Sequence, residues 1–446
     1  MKIAFHTLGC KVNQYETEGL KENFKKAGHE VVPDTEFADA YVINTCTVTN
    51  LADRKSRQFI RRARAINPDA AIAVTGCYVQ VAPEEVAAIE GVDIIAGTNE
   101  KSAMVSLVEE YVRDGSKIRQ VKSYEELDTY EEIGTITSME SRTRAYIKIQ
   151  EGCDRFCSYC IIPFARGSVR SRKPSEILKE AESLVDAGFK ELILTGINAA
   201  LYGTERGFVC DVCDPDIENM YGIEIIIHLL DKMPGNFRIR LSSLEPTAVN
   251  SDYVRRLLEY DRLCHHLHLS IQSGSDSIIS AMNRNYTRED YLDIVKVLRG
   301  KDPHYGITTD IIVGFPGETD EDFADSMNMV SEADFLKVHA FQYSKRKGTA
   351  AALMDNQIEP QIKKSRSAAL IAEADRVSKE FMTACTGEIR QVLFEETYQD
   401  KITGYTDNYI KAYAEADGKY LNTLRNVKIT GLMYDGVSCE ILEEEL

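Results

Sequence analysis

Short apolar runs alternate with stretches of helical periodicity along most of the chain. Residues 2–8 read as a strand, and residues 13–27 repeat at helical spacing up to Gly28, a residue suited to ending a helix. Apolar runs follow at 41–45, 71–75 and 93–96, with a helix over 50–66 that Pro68 stops. Strands alternating with helices predict a parallel sheet covered on both faces, so residues 1–115 are expected to form a doubly wound domain. Residues 116–140 are polar and acidic and read as a linker. From 141 the alternation resumes on a larger scale. Strands are expected at 145–150, 191–195, 237–242, 266–271, 307–313 and 335–341, with helices such as 174–187, 248–260 and 319–333 between them. Six such units predict a partial, open version of the parallel βα barrel over 141–383, ending in a long helix rich in Ala, Lys and Glu. After Gly387 the pattern changes to short strands near 390–394, 409–413, 427–430 and 438–442. They predict a small antiparallel β-barrel over 384–446. The fold class is α/β.

Composition narrows the setting. No run reaches the roughly 18 apolar residues of a membrane span, and Met1–His6 carries no apolar signal region, so a cytoplasmic protein without membrane attachment is expected. Eleven cysteines without a secretion signal point to metal or catalysis rather than disulfides. The net charge of −18 disfavours nucleic-acid binding through overall charge, but three local runs are basic: 54–64, 166–173 and 345–347.

The chemistry centres on Gly152–Cys160, the loop after the first barrel strand. Cys153, Cys157 and Cys160 stand four and three residues apart. Thiolates this close can hold three corners of an iron–sulfur cube, which normally takes four cysteines, and leave one iron open. The competing reading is a zinc site or core thiols, but structural zinc wants four ligands in paired clusters. Cys10, Cys46 and Cys77 each follow a strand of the first domain. Doubly wound sheets gather such loops at one edge, so a second three-thiolate site is expected there; three separate buried thiols are the alternative. Other barrel strands end in Gly196 and Asn198, Ser242 and Glu245, Ser270 and Gln272, and Val313 and Gly314. Glycine admits close backbone approach, and the neutral polar residues offer hydrogen bonds to a ribose or an amino acid.

The cysteine loop resembles the signature of the radical S-adenosylmethionine (SAM) enzymes. Over essentially its whole length the chain resembles the methylthiotransferases of that superfamily. Residues 7–17, Asn44–Cys46 and Gly76–Cys77 are similar to their auxiliary-cluster domain, residues 153–172 to their radical SAM core, and the terminal β-domain to their TRAM-like RNA-binding domain. The resemblance implies two 4Fe–4S clusters, one on Cys153, Cys157 and Cys160 and one on Cys10, Cys46 and Cys77. It implies SAM at the open iron with its adenine on Tyr159, and Gly196, Asn198, Ser242, Glu245, Ser270, Gln272, Val313 and Gly314 as further SAM contacts. It also implies a low-potential electron donor, tRNA as partner, and radical insertion of sulfur followed by a methyl group at an unactivated carbon.

Three branches share this chemistry. Lys11–Asn13 and Glu245-Pro246 are similar to the branch acting on threonylcarbamoyladenosine next to the tRNA anticodon, at C2. Isopentenyladenosine in tRNA and a ribosomal-protein aspartate are the alternatives. Readings of another class are a non-catalytic two-cluster electron carrier with an RNA-binding tail and a zinc-dependent RNA-binding protein. A carboxylate-bearing substrate would need a cation, and Arg238, Arg240 and Lys345 are candidates. The β-domain is acidic, so stacking by some of Tyr405, Tyr409, Tyr413 and Tyr420 is a further expectation. Cys210 and Cys213 read as an incidental loop feature, and Cys264, Cys385 and Cys439 as core thiols.

Overall fold

In a computed structural model of the chain, residues 1–134, 136 and 143–442 are described. The first domain is one parallel sheet of six strands: β1 (Lys2–Thr7), β2 (Glu30–Val32), β3 (Ala40–Thr45), β4 (Ala71–Gly76), β5 (Ile94–Ala96) and β6 (Ile118–Gln120). Their order is β2-β1-β3-β4-β5-β6. The central strands β3 and β4 are buried at every residue, as apolar runs enclosed on two faces must be. Helix α1 (Lys11–Lys26) helps to cover one face, and α2 (Asn50–Ile66) the other. Thr49 caps α2 by accepting the Ala52 N–H. A third helix, α3 (Cys77–Val81), starts directly after β4.

In this domain two short strands, β2 and β6, escape the sequence reading, as the strand over Lys401–Thr406 does in the last. At three residues apiece, β2 and β6 carry too little periodicity to register. β6 falls inside the stretch expected to be a linker, and Leu127, Ile133 and Ile136 beyond it are buried, so this arm packs against the domains it joins. The expected boundary at 140/141 lies outside the described residues.

The second unit carries β7 (Arg144–Glu151), β8 (Arg170–Ser171), β9 (Glu191–Gly196), β10 (Arg238–Leu241), β11 (Ser243–Leu244), β12 (His266–Leu269), β13 (Gly306–Val313) and β14 (Lys337–Gln342). They form two curved sheets, β10-β9-β7-β8 and β11-β12-β13-β14, joined by a single bridge between Ile239 and Leu263. The six long strands run parallel, so all their carboxyl ends lie at one mouth. The side between β7 and β14 stays open, and α1 lies along β7 there, with Lys148 of β7 bonded to Glu16 of α1 at 2.9 Å.

The last unit holds β15 (Ile389–Tyr398), β16 (Lys401–Thr406), β17 (Lys411–Ala414), β18 (Leu424–Met433) and β19 (Gly436–Ile441), closed in the order β15-β16-β17-β19-β18. Its pairings are antiparallel except the β17–β19 seam, which is parallel. This barrel docks on the amino ends of the six strands. Arg238 and Arg240 grip Glu191 at 2.7 and 2.9 Å and donate onward to the carbonyls of Gln391, Tyr405, Thr406 and Asp407. Arg390 holds Asp302, and Arg144 donates to Glu395 at 2.7 Å. Tyr409 stacks on His266 at 4.3 Å and on Tyr405 at 5.0 Å. Among the described residues, no helix is long and apolar enough to cross a membrane.

Candidate functional site

A cavity of about 310 Å³ opens at the mouth of the partial barrel. The loop after β7 supplies Cys153, Cys157 and Cys160 to its wall. Gly152 makes that loop possible: it sits at φ +75, and a Cβ there would lie 1.8 Å from the Ser168 carbonyl. The loop is pinned from two sides, by Cys153 N–H on the Gly167 carbonyl and by Ser158 N–H on the Met282 carbonyl, each at 3.0 Å. Burial pushes the Cys153 thiol up to about 11 and the Cys160 thiol up to about 12. These thiols stay protonated until a metal draws their protons away, which makes loading pH-dependent.

The opposite wall carries Val48 and Thr49, the residues two and three beyond Cys46. The cavity therefore lies between the two regions that hold the cysteine triplets. Hydrogen bonds lace the strand ends bearing the second triplet. Asn13 Nδ2 donates to the Leu8 and Thr45 carbonyls at 2.7 and 3.1 Å. Asn44 Nδ2 donates to the Asn13 carbonyl at 3.0 Å, and Thr45 Oγ1 to the Thr75 carbonyl at 2.6 Å. Gly9, at φ +109, lies so close to Cys46 that its Cβ would stand 3.0 Å from the Cys46 sulfur. Cys10 caps the start of α1 and Cys77 is the first residue of α3. Cys10 is exposed, whereas Cys46 and Cys77 are buried; burial pushes Cys46 up to about 12.

Both triplets fit an iron–sulfur cluster with one open iron. Each supplies three thiols: around Cys153, Cys157 and Cys160 the cavity wall holds neither a fourth cysteine nor a histidine, and Cys10, Cys46 and Cys77 lie within one another's electrostatic reach. Among the described residues, the trios of ligand atoms lying within 4.8 Å of one another include neither cysteine triplet, which separates both from a single-ion shell.

Of the other residues expected to contact SAM, Tyr159, Asn198, Glu245, Ser270 and Gln272 line the cavity. Gln272 holds a left-handed φ of +69, a strained state for a non-glycine residue, and its backbone bonds to Asp310 and Ile312 keep it there. Glu245 is held by Arg155 at 2.8 Å and by Asn198 Nδ2 at 3.2 Å. Gly196, Ser242, Val313 and Gly314 do not line the cavity. Gly196 packs on Gln150, Val313 is core, and the Gly314 position is closed by the Lys363 side chain. The Ser242 hydroxyl is buried without a protein partner.

Sequence reasoning missed Arg155, Arg284 and the strip Phe341–Ser344, all of which line the cavity. Arg284 donates to the Tyr159 and Tyr286 hydroxyls at 3.2 and 3.3 Å. It follows a short helix, and no spacing ties it to the cysteine loop that it contacts.

Three expectations are corrected. The basic run 166–173 is largely internal, because Arg166, Arg170 and Arg172 are buried at 0, 4 and 1 % exposure. Arg166 spans two domains: it bonds Glu16 and Asn13 of α1 at 2.5 and 2.6 Å and Glu151 of β7 at 3.0 Å, and its Nε donates to the Cys77 sulfur at 3.2 Å. Lys101 and Lys148 complete this buried set, so three cations surround two carboxylates. Burial opposes the charge on Glu16, yet Arg166, Lys101 and Lys148 hold its carboxyl well below the usual range. Arg238 and Arg240 are committed to Glu191 and the docked β-barrel, which removes them as readers of a substrate carboxylate at the mouth. Tyr405 and Tyr409 are taken up by the same docking.

The partial parallel barrel, its cysteine loop at the carboxyl ends and the cavity beside it define a radical SAM enzyme. Residues 147–330 match the model of the radical SAM superfamily, and residues 2–97 that described as uncharacterized protein family UPF0004. The structure of the radical SAM methyltransferase TsrM from Kitasatospora setae, with cobalamin and a 4Fe–4S cluster bound, superposes with a TM-score of 0.58 at 14% identity, over 79% of this chain and 74% of that one. The threonylcarbamoyladenosine tRNA methylthiotransferase of Bacillus subtilis (strain 168) is 41% identical over all of this chain and 98% of its own length. Its Thermotoga maritima counterpart is 37% identical over 98% and 96%. The tRNA-2-methylthio-N(6)-dimethylallyladenosine synthase of Alkaliphilus oremlandii is 33% identical over 99% and 93%. The chain belongs to the radical SAM methylthiotransferases, a family of transferases that use SAM and two 4Fe–4S clusters.

Proposed function

We propose that the chain methylthiolates C2 of threonylcarbamoyladenosine beside the anticodon of tRNA, in the cytoplasm and with electrons from a low-potential donor. Cys153, Cys157 and Cys160 would hold the cluster that engages SAM, and Cys10, Cys46 and Cys77 the auxiliary cluster. With these groups bound, the site supplies reductive cleavage of SAM to a carbon radical and a sulfur source for insertion. The observation that carries the reading is the single cavity shared by the Cys153 loop and by Val48–Thr49.

The chain's own residues position and shield. Asn198, Ser270 and Gln272 present neutral polar groups to SAM without competing charge. Arg155 and Asn198 orient Glu245 toward the cavity. Ile161, Ile162, Ile197 and Leu244 give the wall apolar surface that excludes water from a reactive species. For tRNA, α2 exposes Arg54, Lys55, Arg61 and Arg62, and Lys345 and Lys347 are exposed near the mouth. On the TRAM-like barrel, Tyr398 and Tyr434 are exposed and pack edge to face with Tyr413, and Lys411 lies over Tyr398 and Tyr413. That tyrosine group, rather than Tyr405 and Tyr409, is available for stacking on bases.

Identity to relatives of the threonylcarbamoyl branch exceeds that to the dimethylallyl branch, 41% against 33%, and supports the substrate assignment. The test is anaerobic turnover with SAM, reductant and tRNA carrying either modification, read by nucleoside mass spectrometry. Methylthio product from the threonylcarbamoyl tRNA is expected. Product from the isopentenyl tRNA alone, or from the ribosomal protein alone, overturns the assignment.

A further inference from the structure

The barrel interior below the cavity contains a cation without a counter-ion. Lys11, the first residue of α1, lies at the open side between β7 and β14, with its ammonium 5.9 Å from the centre of the Tyr146 ring. It stands within the electrostatic field of Arg144, Arg240 and Glu191, and its own field reaches His339 on β14. Among the described residues it has no ion pair and no hydrogen-bond acceptor. Its charged neighbours are all matched: Arg144 with Glu395, Arg238 and Arg240 with Glu191, and Asp310 with His268 at 3.3 Å. A half-buried ammonium among other cations and without a partner is stabilised by a ligand that completes it.

Polar side chains continue from the cavity wall down the strands on which they lie. Ser270 and Asp310 face the cavity, and His268 lies behind them, with its Nε2 3.1 Å from Ser270 Oγ. On β14, Phe341 lines the cavity, and His339 lies two residues earlier on the same face of the strand. We propose that Lys11 reads the carboxylate of the substrate side chain, which enters the barrel past Asp310 and His339 while the adenine stays at the mouth. This rests on the threonylcarbamoyl assignment and names the residue that discriminates for it. An isopentenyl group in the same place would leave the ammonium desolvated and unpaired. The methionyl carboxylate of SAM is the other anion at hand, and the experiment separates the two.

The experiment compares reconstituted enzyme on tRNA bearing the free threonylcarbamoyl acid with the same tRNA bearing its methyl ester. In the wild type, kcat/KM for the acid should exceed that for the ester by roughly 10- to 100-fold, as for loss of a desolvated charge partner. Lys11→Gln should collapse the ratio to about 3-fold or less, mainly through KM for tRNA, and Lys11→Arg should keep most of it. Iron per chain is measured for each variant because Cys10 is adjacent. Equal use of acid and ester by the wild type overturns the proposal whatever the variants do. So does a Lys11→Gln enzyme that keeps the acid preference, or one whose KM for SAM rises while that for tRNA does not. A wild type that modifies only isopentenyl tRNA overturns the substrate assignment itself, a different result from any of these.

Discussion

The two ends of the partial barrel are built from the same six strands and are finished in opposite ways. At the base, the central ion pair is matched and bonded, with only isolated atoms such as His266 Nδ1 and Asp407 Oδ1 left over: Glu191 sits at 0 % exposure between two guanidiniums, and their remaining donors end on backbone carbonyls of the docked β-barrel. At the mouth, polar atoms of cavity-lining residues are left without protein partners, Asn198 Oδ1 and Arg284 Nε, and Gln272 is held in a strained turn. Each unsatisfied buried group costs on the order of 1–3 kcal/mol. The base supplies rigidity, and the mouth stores unmet hydrogen-bonding capacity for ligands. Mutations at the two ends should therefore separate stability from function.

The largest effect is expected at the mouth. Replacing Cys153, Cys157 and Cys160 by Ala should abolish SAM cleavage and remove roughly half the iron. The same change at Cys10, Cys46 and Cys77 should spare SAM cleavage but abolish methylthio product, measured by chromatography and iron analysis. Next comes the base. Glu191→Ala strands two buried arginines and should cost about 3–5 kcal/mol in chemical denaturation. Asn198→Ala at the mouth should cost under about 1 kcal/mol while raising KM for SAM roughly tenfold. Equal stability losses at both sites would erase the contrast.

Acidification probes the base together with the other paired carboxyls, and substitution at Glu191 isolates its share. Burial works against ionisation of Glu191 and Asp302, but arginine partners, with His265 beside Asp302, hold both carboxyls well below their ordinary values of 4.5 and 3.8. Their stabilisation is therefore complete above the ordinary carboxylate range and is lost as pH falls below it. Tm should decline below about pH 4.5, and Glu191→Gln, itself less stable, should show a shallower decline in calorimetry. The smallest effect concerns the exposed face of α2. Arg61→Glu with Arg62→Glu should leave Tm unchanged, weaken tRNA affinity several-fold and reduce the salt slope by about one unit per lost phosphate contact. Unchanged affinity would assign both arginines to solvated surface.

Much of this was legible in the sequence, for identifiable reasons. Cys153, Cys157 and Cys160 fall within eight residues, so their spacing is visible directly. Cys10, Cys46 and Cys77 are 67 residues apart end to end and become one site only through the rule that parallel strands end at a common edge. Long-range pairing defeated the reading elsewhere. Arg166 meets Glu16 across 150 positions and Arg240 meets Glu191 across 49, so basic residues that resemble surface charge are internal. Lys11 is visible in the sequence as part of a motif, but its isolation depends on the neighbouring charges having found partners elsewhere. Val313 and Gly314 sit at a strand end, as a ligand loop should, yet the Lys363 side chain fills the space above Gly314.

The helix Ile162–Arg166 begins two residues after Cys160 and ends on the residue whose guanidinium touches Cys77. One and a half turns of backbone, about 7–8 Å at 1.5 Å per residue, thus run from one triplet toward the other. A helix that short behaves as a gauge block: its length is set by hydrogen bonding and cannot be trimmed like a loop. Adding one residue to it would rotate Arg166 by about 100° away from Cys77. The spacing between the two halves of the chemistry is inscribed in that single element, which makes it the least negotiable five residues for anyone transplanting this core onto another protein.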